Sequence, residues 1–247
     1  MSICTILKPA DTRQYLLPLI LDMLRDKNSD VRLNIISKFE TIPNLRDILP
    51  LEEINDEILK SINDDEHGLA KNLKWRVRLQ VIQLIPNLAK QLGSDFFDAK
   101  LSEMCMAWLG DSVWSIREAA TANLTKLAEG FGLEWAKKNI IPKVKDLGRH
   151  KSYLYRMTAV FAIHDMAAIL GPELTTKELR QVLLDLAEDQ VPNVRFNVAR
   201  VLGILMTSGA LILPQPAVEH TLMKLKMDDD ADVKYYAEQA LTDINKQ

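Results

Sequence analysis

The residues that could do chemistry are few and scattered along the chain. Four histidines are present: His67, His150, His164 and His220. None lies at zinc-ligand spacing from another histidine or from a cysteine. The one G-x-G, Gly130-Phe131-Gly132, follows no strand, so it indicates a helix end and not a dinucleotide site. We therefore predict no catalytic, cofactor-binding or metal-binding residue and no enzymatic activity.

The composition favours a soluble helical protein. The chain has 247 residues, of which 47% are hydrophobic and 26% charged, with only nine glycines. A formal net charge of −3 argues against a nucleic-acid-binding protein. Cys4 and Cys105 lie in apolar helical patterns, which predicts buried free thiols in a reducing compartment. With no signal peptide and no apolar run of bilayer length, we expect a cytoplasmic or nuclear protein without a membrane partner.

Basic residues recur along the chain with a fixed period, which predicts the helices that would position any functional residue. Basic residues recur 39 residues apart, each after an apolar or aromatic residue: Arg78, Arg117, Arg156, Arg195 and Lys234. An earlier copy, Arg32, precedes Arg78 by 46 residues. A period of about 40 is typical of HEAT and armadillo repeats, in which helix pairs stack on one another. The sequence thus predicts an all-α HEAT-repeat solenoid of antiparallel helix pairs.

We place six repeats in this single solenoid, after a segment 1–7 that ends a preceding helix. Their predicted boundaries are 8–46, 47–93, 94–132, 133–171, 172–209 and 210–247. The second repeat carries seven extra residues, which we assign to an acidic loop at 63–68. First helices are expected to begin near Pro18, Pro50, Pro142 and Pro214, and the fifth at a Thr175–Glu178 capping box. Predicted caps of the second helices are Asp30, Ser115, Asn193 and Asp232.

One column of the repeat predicts a charged ladder. Six residues before each basic position stand Asp26, Asn72, Asp111, His150, Asp189 and Asp228. Four of these six are Asp, so we expect charge-assisted bonds to the Arg row, within a repeat or between neighbours. A charged binding strip is the alternative function of this column.

A second column predicts a binding surface. Three residues before each basic position stand Ser29, Trp75, Trp114, Tyr153, Pro192 and Ala231. Three successive aromatics on turns predict an exposed ridge, since Trp and Tyr are common interface anchors; packing against the adjacent turn is the alternative. Trp108, Trp135 and His164 are instead expected in the core. The basic residues around Trp75 indicate a solvated turn or a contact with an acidic partner.

Several segments together resemble one family. They include Lys74-Trp75-Arg76-Val77-Arg78-Leu79, Ile116-Arg117-Glu118-Ala119-Ala120-Thr121 and Asn193-Val194-Arg195-Phe196-Asn197-Val198. In order along nearly the whole chain, they resemble the C-terminal HEAT repeats of the scaffold (A) subunit of protein phosphatase 2A. The resemblance implies a non-catalytic scaffold that binds the catalytic subunit of protein phosphatase 2A. Regulatory subunits would associate only indirectly, because the repeats that hold them in the family are N-terminal to this match.

The resemblance also implies partner-binding residues in the turns between paired helices. They are Lys74, Trp75, Arg76, Val113, Trp114, Tyr153, Arg156, Val191 and Asn193. Four departures from the family pattern stand out: Trp114 where Tyr is common, Pro192, the insertion before Trp75, and His150 in place of a ladder Asp.

Two other functions remain open from the residues. A HEAT or armadillo adaptor would bind an extended peptide with Trp and Asn rows on its helices. Here the aromatic row precedes the second helix, which disfavours that reading. A HEAT-like DNA glycosylase would need a basic concave face, which the net charge of −3 disfavours.

Overall fold

The computed structural model describes residues 11–38, 51–63, 68–212 and 215–246. Every regular element in these ranges is helical, which confirms the predicted all-α repeat fold. The predicted helix end at 1–7, Cys4, Pro50, Pro214 and residues 64–67 of the acidic loop lie outside them. The chain divides into two compact units, Met1–Cys105 and Met106–Gln247.

The first unit contains helices that pack on their neighbours along the chain. Its helices are α1 (Leu17–Leu24), α2 (Ser29–Lys38), α3 (Leu51–Asn63), α4 (Trp75–Leu92), α5 (Ser94–Lys100) and α6 (Ser102–Trp108), the last of which crosses the unit boundary. α1 packs on α2 and α3, and α2 packs on α4. This is the neighbour-to-neighbour packing by which repeat proteins bury their apolar faces.

The second unit continues the same alternation. Its helices are α7 (Trp114–Phe131), α8 (Leu133–Asn139), α9 (Ile141–Gly148), α10 (Tyr153–Leu174), α11 (Arg180–Leu186), α12 (Pro192–Thr207), α13 (Pro216–Leu225) and α14 (Ala231–Ile244). α10 packs against α7 on one side and α12 on the other, and α12 packs against α14. The short helices α9, α11 and α13 each pack on the long helix that follows.

Prolines and glycines mark the helix ends. Pro18 and Pro142 lie in the first turn of α1 and α9, where no N–H is needed, as predicted. Glycines with positive φ recur 39, 39 and 38 residues apart: Gly93 (91°), Gly132 (91°), Gly171 (75°) and Gly209 (72°). L-residues rarely adopt this conformation, so each glycine breaks the helix and lets the chain turn to the next repeat.

The core follows the predicted helical spacing. On α12 the stripe Val194, Val198, Val201, Leu202 and Leu205 is buried. Cys105 and Trp108 are buried as well, as predicted, and burial raises the pKa of the Cys105 thiol. The prediction of a core His164 was wrong, because its side chain is 38% exposed and its Nδ1 lies 3.0 Å from Asp165 Oδ1.

None of the four predicted caps of the second helices was right. α2 begins at Ser29, α7 at Trp114, α12 at Pro192 and α14 at Ala231, so all four predicted residues lie inside the first turn of their helices: Asp30, Ser115, Asn193 and Asp232. α14 is capped by Asp230, whose carboxylate accepts the N–H groups of Asp232 and Val233. The Thr175–Glu178 capping box is also absent.

The helical chain continues from Leu174 into Thr175, which explains why no capping box forms there. The Thr175 hydroxyl is buried without a hydrogen-bond partner among the described residues. Glu178 instead pairs with Lys145 at 2.6 Å. The capping motif was therefore a coincidence of sequence within a continuous helix.

One apolar stretch is longer than the sequence pattern indicated. Residues 153–186 are long and apolar enough to cross a membrane by length and composition alone, with half of the most apolar window buried. Gly171 breaks the helix within this stretch. The burial and the break are typical of core helices in a stacked repeat.

Candidate protein-binding surface

A short connecting turn precedes each long second helix, and all six turns are closed in the same way. The first side chain of the turn accepts the backbone N–H two residues further on. The pairs are Asp26 with Asn28 (2.7 Å), Asn72 with Lys74 (2.9 Å), Asp111 with Val113 (2.8 Å), His150 with Ser152 (3.1 Å), Asp189 with Val191 (2.9 Å) and Asp228 with Asp230 (2.9 Å). This local bond is a general property of Asp and Asn in turns.

A second bond fastens five of these turns to their helices. The Nη1 atom of the periodic Arg donates to the carbonyl of the residue six positions earlier. These bonds are Arg32 to Asp26 (2.7 Å), Arg78 to Asn72 (2.6 Å), Arg117 to Asp111 (2.7 Å), Arg156 to His150 (2.9 Å) and Arg195 to Asp189 (2.7 Å). The Arg row therefore fixes the turns that carry the aromatic column.

The predicted ladder joins neighbouring repeats at Arg156 and at Arg195. Arg156 reaches Asp189 through Nε (2.5 Å) and Nη2 (2.8 Å). Arg195 reaches Asp228 in the same bidentate way, at 2.7 and 2.8 Å. We call each such pair a rung. The rungs run from one repeat to the next, which the sequence had left undecided.

The rungs set the charge state of their carboxylates. Hydrogen bonds from Arg195 lower the pKa of Asp228. Burial alone would raise the pKa of Asp189, but the bonds from Arg156 and the Val191 N–H outweigh it, and the pKa is lowered. The pKa values of Arg156 and Arg195 are raised by the same bonds. Arg156, a predicted partner-binding residue, thus has a structural task in the ladder.

The aromatic residues of the second unit stand partly out of the surface. Trp114 is 43% exposed and Tyr153 is 41% exposed. The Trp114 ring is held by an edge-on contact with Phe161 at 5.1 Å and lies 5.3 Å from the Arg117 guanidinium. Trp114 therefore offers a fixed apolar face beside polar atoms, the arrangement found in interface anchors.

The other predicted binding residues of this unit line the same turns. Val113 and Val191 are half-buried, and Asn193 is exposed in the first turn of α12. The Asn193 carbonyl accepts a bond from Asn197 at 2.7 Å, which orients the first turn of that helix. The exposed Pro192 takes the aromatic position of this turn.

The first unit carries one turn of the same kind. Lys74 and Arg76 are exposed and Trp75 is half-buried. The Arg76 guanidinium lies 4.6 Å from the centre of the Trp75 ring, a cation–π contact that steadies both side chains. Trp75 is thus less accessible than a ridge residue was expected to be.

Sequence reasoning missed two features of the second unit. Phe161, which supports Trp114, lies inside α10 with no period to mark it. A cleft of about 810 Å³ lies among α7, α10 and α12, lined in part by Lys126, His164 and Ser208. Its lining mixes small and polar residues without a column pattern. Among the described residues no group of three or more His, Cys, Asp or Glu is placed to hold a metal ion.

Comparison with known proteins supports the repeat assignment and the resemblance. A HEAT-repeat family model matches residues 101–131. Among solved structures, Cex1p superposes with a TM-score of 0.62 at 14% identity, covering 95% of this chain and 45% of that one. The MAST/Orbit N-terminal domain gives a TM-score of 0.58 at 18% identity, covering 92% and 95%. At these identities the structural matches support the fold alone.

Curated relatives are phosphatase regulatory subunits. The regulatory A-subunit of protein phosphatase PP2A from Schizosaccharomyces pombe is 44% identical over 70 residues, which cover 28% of this chain and 12% of the relative. Its Saccharomyces cerevisiae counterpart is 37% identical over 129 residues, covering 49% and 20%. Serine/threonine-protein phosphatase 4 regulatory subunit 1 of Rattus norvegicus is 28% identical, covering 92% and 24%. The chain thus spans a quarter or less of these relatives, and the matches confirm the resemblance drawn from the sequence.

Proposed function

We propose that this chain is a non-catalytic scaffold that binds the catalytic subunit of a serine/threonine phosphatase of the 2A type through its connecting turns. The observation that carries the proposal is the pair of exposed aromatic residues, Trp114 and Tyr153, of which Trp114 is held by its contact with Phe161. They are the first residues of α7 and α10, directly after turns that the Arg row fastens to those helices, so little conformational entropy is lost on binding. Regulatory subunits would associate only through that catalytic subunit.

The relatives support the class of partner. Those with the higher identity are named as regulatory subunits of PP2A, whereas the match that covers 92% of the chain is named as a regulatory subunit of phosphatase 4. We favour the 2A catalytic subunit, and the phosphatase 4 catalytic subunit is the second candidate. The proposal includes neither a nucleic-acid nor a membrane partner, and a cytoplasmic or nuclear location stays a prediction.

The test is a binding titration of the purified chain with each catalytic subunit. Trp114→Ala removes a central aromatic anchor, which typically costs ~2–4 kcal/mol, or roughly 30- to 1,000-fold in affinity. Tyr153→Ala should lower the affinity in the same direction. Melting of both variants should stay close to that of the parent chain, since each ring is about two-fifths exposed.

The control is Trp108→Ala, because Trp108 is buried with 4% exposure. Truncating a buried Trp costs ~3–5 kcal/mol of stability, so this variant should melt early. If Trp114→Ala binds as tightly as the parent chain, the turns are not the binding surface. Selective capture of an extended peptide through the cleft of α7, α10 and α12 would favour the adaptor reading instead.

A further inference from the structure

One rung of the ladder lacks its acid. Arg156 and Arg195 each bond the carboxylate of the Asp that lies 33 residues further along the chain. The residue 33 positions after Arg117 is His150. At the junction of α7 and α10, a histidine therefore stands where the two intact rungs have an Asp.

The missing acid leaves the Nε edge of Arg117 without an acceptor in the described part of the chain, and we call this its open edge. Its side chain is buried, at 5% exposure, and both of its hydrogen bonds come from Nη1, to the carbonyls of Asp111 (2.7 Å) and Ser112 (3.2 Å). The Nε atom is buried and has no acceptor among the described residues. A buried charged donor without an acceptor is unfavourable, so this edge favours the arrival of an anion.

His150 is not placed to replace the acid. Its Nδ1 is already the acceptor for the Ser152 N–H, and its ring lies on the Tyr155 ring with 3.9 Å between centroids. Tyr155 in turn occupies the space beside Gly110, where an added Cβ would lie 1.7 Å from the Tyr155 ring. An imidazole held in this way contributes no negative charge to Arg117.

The turn that would supply the acid is basic and exposed. Arg149, His150 and Lys151 are consecutive exposed residues, and no acidic residue occurs between Asp146 and Asp165. The two exposed aromatic anchors, Trp114 and Tyr153, belong to the turns on either side of it. A partner bound on those anchors would meet an uncompensated positive turn, which selects an acidic side chain.

We propose that the bound partner completes the ladder by placing an Asp or Glu carboxylate on the Nε–Nη2 edge of Arg117. This rests on the proposed function, since the partner is the phosphatase catalytic subunit. A carboxylate fits better than other anions because the two intact rungs hold planar carboxylates on the same edge of their Arg. The missing acid would then be a recognition site and not a defect.

The test uses two substitutions at one position. His150→Asp supplies the carboxylate within the chain, whereas His150→Asn keeps only the turn-closing acceptor, as Asn72 does in another turn. His150→Asp should melt at a higher temperature than His150→Asn and bind the catalytic subunit roughly 30-fold or more weakly, because its own acid occupies Arg117 and repels the partner's. His150→Asn should bind within a few-fold of the parent chain. Equal melting or equal binding of the two variants would overturn the proposal.

A direct probe separates this inference from the proposed function. An acetylated tetraglutamate peptide is titrated into the ¹⁵N-labelled free chain while the Arg117 Nε–H resonance, assigned with Arg117→Lys, is followed. A shift in the parent chain that is lost in His150→Asp supports the open edge even if no catalytic subunit binds. No shift in the parent chain, or a larger shift with inorganic phosphate than with the peptide, refutes the carboxylate site. Failure of the parent chain to bind either catalytic subunit, with the peptide shift present, refutes the proposed function and the partner named here.

Discussion

Removing one partner of the Arg195–Asp228 rung should destabilise the second unit by about 2–3 kcal/mol. The Asp228 side chain is 11% exposed and that of Arg195 is 17% exposed. Breaking a fully buried pair typically costs 3–5 kcal/mol, whereas an exposed pair contributes about 0–1 kcal/mol. The small residual exposure places this rung between those limits and nearer the buried one.

Asp228→Asn is the mildest version of the change. The amide oxygen can still accept the Asp230 N–H, so the turn stays closed while the charge and one acceptor are lost. Arg195→Ala should cost more, because it also removes the bond to the Asp189 carbonyl. The expected fall in the melting temperature is about 4–12 °C for a unit of this size.

The control is an exposed ion pair that bridges the same two repeats. Lys224 and Glu188 are 2.7 Å apart, but their side chains are 61% and 59% exposed. Glu188→Gln should therefore change the stability by less than about 1 kcal/mol. Urea and thermal unfolding followed by circular dichroism would measure all three variants. Equal effects of Glu188→Gln and Asp228→Asn would show that the rung is only a solvated pair.

The pH dependence supplies an independent check of the same rung. Because Arg195 lowers the pKa of Asp228 in the folded chain, the rung contributes fully above the unfolded pKa of about 3.9. That contribution is lost as the pH falls through the lower, folded pKa. The stability difference between the parent chain and Asp228→Asn should thus be full at neutral pH and shrink in acid. A difference that stays constant into strong acid would contradict an ionic rung.

The remaining predictions concern the first unit and the helix contacts. Arg25 and Lys60 bind the Glu57 carboxylate at 2.8 and 2.7 Å and lower its pKa to about 2. The contribution of Glu57 to stability should therefore be lost as the pH falls from about 4.3 towards that value. In melting curves measured across a pH series, Glu57→Gln should show a smaller loss of stability over this range. Gly203→Ala should destabilise the fold by about 1–3 kcal/mol, since an added Cβ would lie 2.6 Å from Ala240 Cβ. Gly130 lies inside α7, and a Cβ added there would have no atom within 4 Å, so Gly130→Ala should stabilise the fold by up to ~1 kcal/mol. Urea unfolding of these two variants checks the sign of each effect.

Most of the correct predictions came from the 39-residue repeat period. Because Arg78 to Lys234 repeat every 39 residues, the helix pairs, the ladder column and the turn positions followed from counting. The direction of the rungs did not follow, because a column shows that Arg195 has Asp partners but not whether Asp189 or Asp228 is the nearer. The helix starts were misplaced for a related reason. The Asp column closes the turn from outside the helix, and residues such as Ser115 and Asn193 only look like caps.

The candidate site was predictable in position and less so in detail. Trp114 and Tyr153 were expected on exposed turns, and both are partly exposed. The fixed orientation of Trp114 depends on its contact with Phe161, which no periodic signal marks. The consequence of His150 in the ladder column also could not be predicted from the sequence. Only the structure shows that, within the described ranges, Arg117 Nε has no acceptor where an Asp at position 150 would bond it.

The recurring positive-φ glycines make each repeat an exchangeable module. A chain shortened by residues 133–171 would join Gly132 to Pro172, which reproduces the natural Gly171–Pro172 junction between a left-handed glycine and the next repeat. The deletion equals one period, so Asp189 would then follow Arg117 by 33 residues, the spacing of an intact rung. Circular dichroism and melting of the shortened chain would measure whether the register survives. Gain or loss of whole repeats can thus change which partners a scaffold holds without new helix ends or new ladder chemistry.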